Sequence, residues 1–145
     1  MVPSGGGPNQ KVIDGFFRGD WIRQPAGHGS WIVTSDGDRV LRLIDVDRKM
    51  VVWETSLPSI PGGSASTPMF SPDGRSISAP FPETRDHFAI QVFETSTGKS
   101  RLAVRLPFNI SFRASWVNNG DALIVNRQDT VSHVVMFDRF WAPSH

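Results

Sequence analysis

Hydrophobic and polar positions alternate with a period of two along several short stretches of the chain. Val40-Leu-Arg-Leu-Ile-Asp-Val, Phe88-Ala-Ile-Gln-Val-Phe-Glu and Val131-Ser-His-Val-Val-Met-Phe all follow this pattern. They are rich in β-branched and aromatic residues and end at clusters of Gly, Asp, Asn or Ser, which marks them as strands. Helical signals are weak, because eleven prolines and thirteen glycines are spread along the chain and interrupt most windows of helical length. Short strands with a turn every ten or so residues predict an all-β architecture: sandwich, barrel or propeller.

Internal repetition separates these options. Gly27, Gly74 and Gly120 fall 47 and 46 residues apart. A strand pattern follows each: Trp31-Ile-Val-Thr-Ser, Ile77-Ser-Ala-Pro-Phe and Leu123-Ile-Val-Asn-Arg. A second strand in each unit ends on an apolar–acidic pair, at Ile44-Asp45, Phe93-Glu94 and Phe137-Asp138. Two units then turn, through Asp47-Arg-Lys and Ser96-Thr-Gly-Lys, into a further strand at Met50-Val-Val-Trp-Glu and Arg101-Leu-Ala-Val-Arg-Leu. A repeat of this length with four short strands predicts β-propeller-like, four-stranded antiparallel blades. The units run approximately over 18–58, 64–107 and 108–141, within a propeller-like segment spanning 11–145, behind a flexible Gly/Pro-rich leader at 1–10. Lys11-Val-Ile-Asp-Gly-Phe-Phe can supply an extra strand ahead of the first unit, and the third unit lacks its outermost strand. About three blades make an incomplete ring, since closure generally takes four or more.

The middle unit adds a resemblance. Phe70-Ser-Pro-Asp-Gly-Arg-Ser-Ile77 resembles the turn of TolB-like propeller repeats, and Ile90-Gln-Val-Phe-Glu-Thr-Ser-Thr-Gly-Lys99 resembles the strand and turn that complete such a blade. Ser115-Trp-Val-Asn-Asn-Gly-Asp-Ala-Leu123 is similar without the proline. Ser35-Asp-Gly-Asp38 through Leu43-Ile-Asp-Val-Asp-Arg-Lys49 resembles a WD repeat, with Ile44 where that family has tryptophan. The resemblance covers roughly residues 20 to 141. It implies the C-terminal part of a larger bacterial propeller, of the kind found in some kinases and transcription regulators. In the turn itself Pro72, Asp73 and Gly74 are structural: a preset φ, a side chain that bonds nearby backbone, and tolerance of positive φ.

Composition narrows the partners. Fifteen basic and fourteen acidic residues leave a formal charge of +1, which gives no electrostatic basis for nucleic acid or an anionic membrane. Cysteine is absent, so disulfides and thiolate metal sites are excluded and the compartment stays open between cytoplasm and periplasm. No secretory signal opens the chain and no apolar run is long enough to span a bilayer, so a soluble protein is expected.

Candidate chemistry is sparse. His28, His87, His133 and His145 show no metal-ligand spacing. Asp36, Asp38, Asp45 and Asp47 lie among arginines and lack the glycine and glutamate of a calcium loop. Gly62-Gly-Ser-Ala-Ser66 is not a nucleophile elbow, since its last glycine is missing. Gly5-Gly-Gly7 lacks the strand and Lys-Ser/Thr of a phosphate loop. Asn109-Ile-Ser111 matches a glycosylation sequon, which matters only in a secretory context. Most aromatics are expected in the core between blades. Trp21, Phe112 and Trp141 are the ones whose exposure bears on binding, and an open blade flank would uncover residues such as Trp53, Phe93 or Trp116.

No catalytic residue, metal or cofactor is therefore expected. In a blade, the loops joining second to third strands share one face with the connections between blades. On this register that face holds 35–39, 58–66, 83–87 and 108–113, and gathers Asp36, Asp38, Arg85, Asp86, His87 and Arg113. The expected function is a non-enzymatic protein-interaction or ligand-sensing module, paired with a protein partner or with the remaining blades. Two alternatives are an accessory propeller segment of a prolyl-oligopeptidase-like hydrolase and a self-assembling structural β-protein, possible as a homo-oligomer.

Overall fold

A computed structural model describes residues 18–24, 27, 29–35, 39–60, 67–107, 111–128 and 133–138. Three antiparallel sheets follow one another along the chain. The first contains β1 (Arg18–Arg23), β2 (Ser30–Ser35), β3 (Val40–Asp45) and β4 (Met50–Ser56), hydrogen-bonded in that order. The second contains β5 (Met69–Phe70), β6 (Ser76–Pro82), β7 (His87–Glu94) and β8 (Ser100–Pro107), again in chain order. The third contains β9 (Ser111–Val117), β10 (Ala122–Gln128) and β11 (His133–Asp138). One short 3-10 turn, Asn118–Gly120, links β9 to β10. Among the described residues no helix is long and apolar enough to cross a membrane.

The repeat is metrically regular. β2, β6 and β10 begin at Ser30, Ser76 and Ala122, two steps of 46 residues. Each apolar–acidic pair closes the third or final described strand of its sheet. Asp45, Glu94 and Asp138 stand opposite Trp31, Ser76 and Ala122, at the start of the neighbouring strand. The glycine register needs one correction. Gly74 and Gly120 adopt left-handed φ of 70° and 102°, but in the first sheet this role falls to Gly29, not Gly27. A Cβ on Gly29 would come within 2.7 Å of Asp47 Oδ2, which accepts the Ser30 N–H that opens β2.

The sheets stack through alternating side chains. Val33, Leu41 and Leu43 of the first sheet meet Ile77, Ala79, Phe81, Ala89 and Phe93 of the second, with Ile22, Trp31 and Trp53 packed beside them. The opposite face of the second sheet puts Ile90 and Val92 against Leu123 and Val125 of the third, flanked by Trp116. The second sheet is thus covered on both faces, and all seven residues of β6 are buried. A near-continuous apolar run is the expected mark of such a strand. Pro80 and Pro82 fit there because β5 pairs β6 only at Ile77 and Ser78, which leaves the proline end with β7 as its one strand neighbour.

The innermost strands are held by contacts between sheets. Asp20 Oδ2 of β1 accepts the Phe70 N–H of β5 at 2.9 Å, and Trp116 Nε1 of β9 donates to the Met69 carbonyl at 3.2 Å. Trp53, Phe93 and Trp116 are accordingly at least half covered, and among the described residues the aromatic left open is Trp21, at 62% exposure. The Trp141 and Phe112 side chains lie outside the described residues, as do Lys11–Phe17.

Candidate functional site

The β6–β7 loop is the best-defined part of the face that the sequence assigns to binding. It sits at the end of the second sheet opposite the Ser71–Arg75 and Thr95–Lys99 turns, because antiparallel strands alternate direction. The connection leaving the first sheet reaches the same end: the Ile60 N–H donates to the Pro82 carbonyl at 3.0 Å, and the Leu57 N–H to the Arg39 carbonyl at 2.6 Å.

Thr84 builds the loop. Its Oγ1 accepts the backbone N–H groups of Asp86 at 3.2 Å and His87 at 2.9 Å, and lies 3.4 Å from His87 Nδ1. The N–H groups of Glu83 and Thr84 both donate to the His87 carbonyl, at 3.0 and 3.1 Å. A hydroxyl satisfying two backbone donors is how Ser and Thr fix turns. From β8, Arg105 then clamps the loop base with two parallel bonds to the Glu83 carboxylate, 2.5 Å from Nε and 2.8 Å from NH2. The Arg105 hydrogen bonds hold the Glu83 carboxyl below the usual carboxylate range, and Glu83 in turn raises the Arg105 guanidinium. Paired in this way, the two charges give the loop a fixed base, while Arg85, Asp86 and His87 all point to solvent as exposed residues.

Of the six residues singled out from sequence, this loop brings three together: Arg85, Asp86 and His87. Asp36 and Asp38 lie outside the described residues. Arg113 corrects the expectation of a loop over 108–113. It lies inside β9, opposite Asn126, because the β9–β10 pairing runs without interruption from Val117–Ala122 to Ser111–Gln128. Sequence reasoning missed Thr84 and Arg105. The Thr84-x-Asp86 spacing was a readable turn signal, whereas Arg105 is brought in only by the β7–β8 pairing of His87 with Pro107 and Ala89 with Arg105.

Two other acidic residues, Asp45 and Asp73, serve turns. Asp45 accepts from Gln24 Nε2 at 3.0 Å and from the Arg48 N–H at 2.9 Å. Asp73 Oδ1 accepts from Ser71 Oγ at 2.6 Å and from the Arg75 N–H at 3.1 Å, and Ser71 Oγ accepts the Ser76 N–H at 2.9 Å. Ser71-Pro72-Asp73-Gly74 is therefore a self-bonded turn. It borders a concavity of about 320 Å³ lined by Asp73, Arg75, Ser76, Glu94, Gly120 and Asp121, between the second and third sheets and on the face away from the Thr84 loop. Among the described residues no group of three His, Asp or Glu side chains is placed to hold a metal ion.

No family model matches the chain, and no curated protein matches it. A solved structure does: the β-propeller domain of Cps50 (Swd1) from Myceliophteria thermophila, with a TM-score of 0.54 and 12% identity. The match covers 88% of this chain and 42% of that one, so the chain spans under half the length of its structural neighbour. At this identity the likeness concerns the fold alone. Together with the stacked four-stranded antiparallel sheets and their 46-residue step, it shows that this is an all-β protein of β-propeller-like fold.

Proposed function

We propose that the chain is a non-enzymatic protein-interaction module, a propeller segment that presents its Thr84 loop to a protein partner. The observation that carries this reading is the loop's construction. A turn bonded by Thr84 and clamped at Glu83 by Arg105 holds three exposed, chemically distinct side chains at the end of a sheet buried on both faces. Loops held rigid by such a scaffold are where β-proteins carry recognition. Arg85 and Asp86 offer charges of both signs and His87 a ring donor or acceptor, which suits a mixed polar rim on a partner surface. Asp36, Asp38 and Arg113 are assigned to the same surface. The parent context we favour is the C-terminal part of a larger bacterial signalling or TolB-like propeller, with the remaining blades supplied from outside residues 18–138.

The test uses the full chain with a photo-crosslinking residue at Asp86 or, on the opposite face, at Lys99. Partners captured from Asp86 but not from Lys99 are then titrated against the triple variant Arg85→Ala, His87→Ala, Arg113→Ala. The expected result is a loss of binding of at least about tenfold, the equivalent of 1.4 kcal/mol, with an unchanged circular dichroism spectrum. Unchanged binding by the triple variant would overturn the assignment.

A further inference from the structure

Apart from Trp21, the large apolar side chains left open among the described residues lie on two strands. Met50, Val51 and Val52 belong to β4 and Leu102 to β8, with exposures between 41% and 51%. These are the outer strands of the first and second sheets, each hydrogen-bonded on one side only among the described strands. A free edge of this kind is a template for another strand. Met50-Val-Val-Trp53 contains no charge and no proline, and such β-branched and aromatic runs are the composition of self-pairing segments. The charge that follows it, Glu54, is engaged by Arg42 Nε of β3.

Both outer strands carry one residue more than their pairing uses. Leu43 pairs Trp53 and the next residue, Ile44, pairs Val51, so Val52 stands opposite no residue of β3. Ile90 pairs Val104 and Gln91 pairs Leu102, which leaves Ala103 as the extra residue of β8. An extra residue bends its strand and sharpens the local twist, which turns an edge away from an incoming strand. The two edges differ in what else guards them. β8 contains Arg101, Arg105 and Pro107 and no acidic residue, and both charge and a missing N–H oppose pairing on their own. β4 has neither in its apolar run. Lys49 before the run and Glu54 after it are opposite in sign, so they attract an antiparallel copy of the same strand.

We infer that the bulge at Val52 keeps the edge of β4 from pairing with β4 of a second copy of this chain, and that the fold itself does not need the extra residue. Removing Val52 leaves every β3–β4 pair in place, from Val40–Ser56 to Leu43–Trp53 and from Ile44–Val51 to Asp45–Met50, because Val52 has no partner there to lose. The straightened strand then matches an antiparallel copy of itself. Centred on Val51, that pairing sets Val51 against Val51, Met50 against Trp53 and Lys49 against Glu54, which joins apolar pairs at the middle to opposite charges at the ends. The bulge is thus the guard of β4, whereas on β8 the bulge at Ala103 is seconded by the arginines and the proline. This role is separate from the Thr84 loop, which joins β6 to β7.

The chain has no cysteine, so one introduced cysteine reports on the edge. Val51→Cys is made in the full chain and in the full chain lacking Val52. Residues facing each other across an antiparallel pair lie about 4.5–5.5 Å apart at Cα, within disulfide reach. Mild oxidation is expected to give several-fold more cross-linked dimer in the chain lacking Val52 than in the parent with the same cysteine. Light scattering of the cysteine-free deletion variant is expected to show a mass that rises with concentration beyond that of the parent. Val51→Lys added to that variant should return it to the parent's mass, which would not happen if the association came from misfolding. Removal of Ala103, with Leu102→Cys as its reporter, should add no cross-linking. A folded chain lacking Val52 that cross-links no more than the parent overturns the inference. So does association that Val51→Lys leaves unchanged, or an equal gain on removing Ala103. Loss of the near-ultraviolet circular dichroism on removing Val52 would show that the fold needs the residue, and would overturn it too.

Discussion

The indole N–H of Trp53, on the outermost strand of the first sheet, donates to the Thr95 carbonyl at 2.8 Å, just past the end of β7 in the second. Forty-two residues separate the two, and the bond sits beside the stack of Trp53 on Phe93. It tests how the sheets hold together. Trp53→Phe keeps an aromatic ring over Phe93 and loses the bond, for an expected cost of about 1 kcal/mol. Trp53→Ala loses ring and bond together, for about 3 kcal/mol or more. Urea denaturation of the two variants checks the order. Equal losses would show that the ring contributes nothing beyond the hydrogen bond.

Gly120 and Gly27 were aligned by the repeat, yet they should respond in opposite ways to alanine. Gly120 has φ +102°, and a Cβ there would lie 2.9 Å from Ser71 Cβ and 3.0 Å from Asp73 Oδ1. Both conformational strain and collision with the neighbouring turn oppose the substitution, so Gly120→Ala should destabilise by more than about 1 kcal/mol. Gly27 has no left-handed φ, and its nearest neighbour is the movable end of the Gln24 side chain. Gly27→Ala should stay within about 0.5 kcal/mol of the parent. Thermal unfolding of both variants under one condition decides the matter.

Phe81 and Leu102 are both large, apolar and in strands, but only Phe81 is sealed between sheets, at 1% exposure against 41% for Leu102. Phe81→Ala is expected to cost about 3–5 kcal/mol. Leu102→Ala is expected to lie within about 0.5 kcal/mol of the parent. Denaturant midpoints report both, and a comparable loss at Leu102 would indicate that β8 is covered in solution.

Asp45 supplies a pH dependence. The backbone N–H of Arg48 holds its carboxyl below the ordinary 3.8, with the Gln24 amide and the Arg48 charge acting in the same direction against the opposing effect of burial. A folded-state pKa below the unfolded one stabilises the fold above 3.8, and that contribution is lost as pH falls below it. Stability should therefore drop through the acid range in the parent, and Asp45→Asn should flatten that part of the profile. Unfolding free energies measured from neutral pH down to about pH 3 show the difference. Identical slopes would mean that Asp45 is no more strongly held in the folded chain than in the unfolded one.

Alternation, β-rich composition and spacing along the chain determined β2, β3, β4, β6, β7, β8, β10 and β11. They also determined the 46-residue step and the closing apolar–acidic pairs. These are local properties, because period-two burial and turn chemistry are written within a few residues. The innermost strands were decided elsewhere. Arg18–Arg23 is largely polar and Met69–Phe70 is two residues long. Each becomes a strand by pairing within its sheet, and a bond between sheets, Asp20 to Phe70 N–H, joins the two. The same division holds for the candidate site. The exposed Arg85-Asp86-His87 segment was legible as a loop, while the Arg105 clamp required the β7–β8 pairing to carry a side chain across 22 residues. Which aromatics would be covered also waited on the stacking. Trp53 and Trp116 face a neighbouring sheet and Trp21 does not, and the side of a sheet on which a neighbour packs is fixed by the tertiary arrangement, not by the residue that points there.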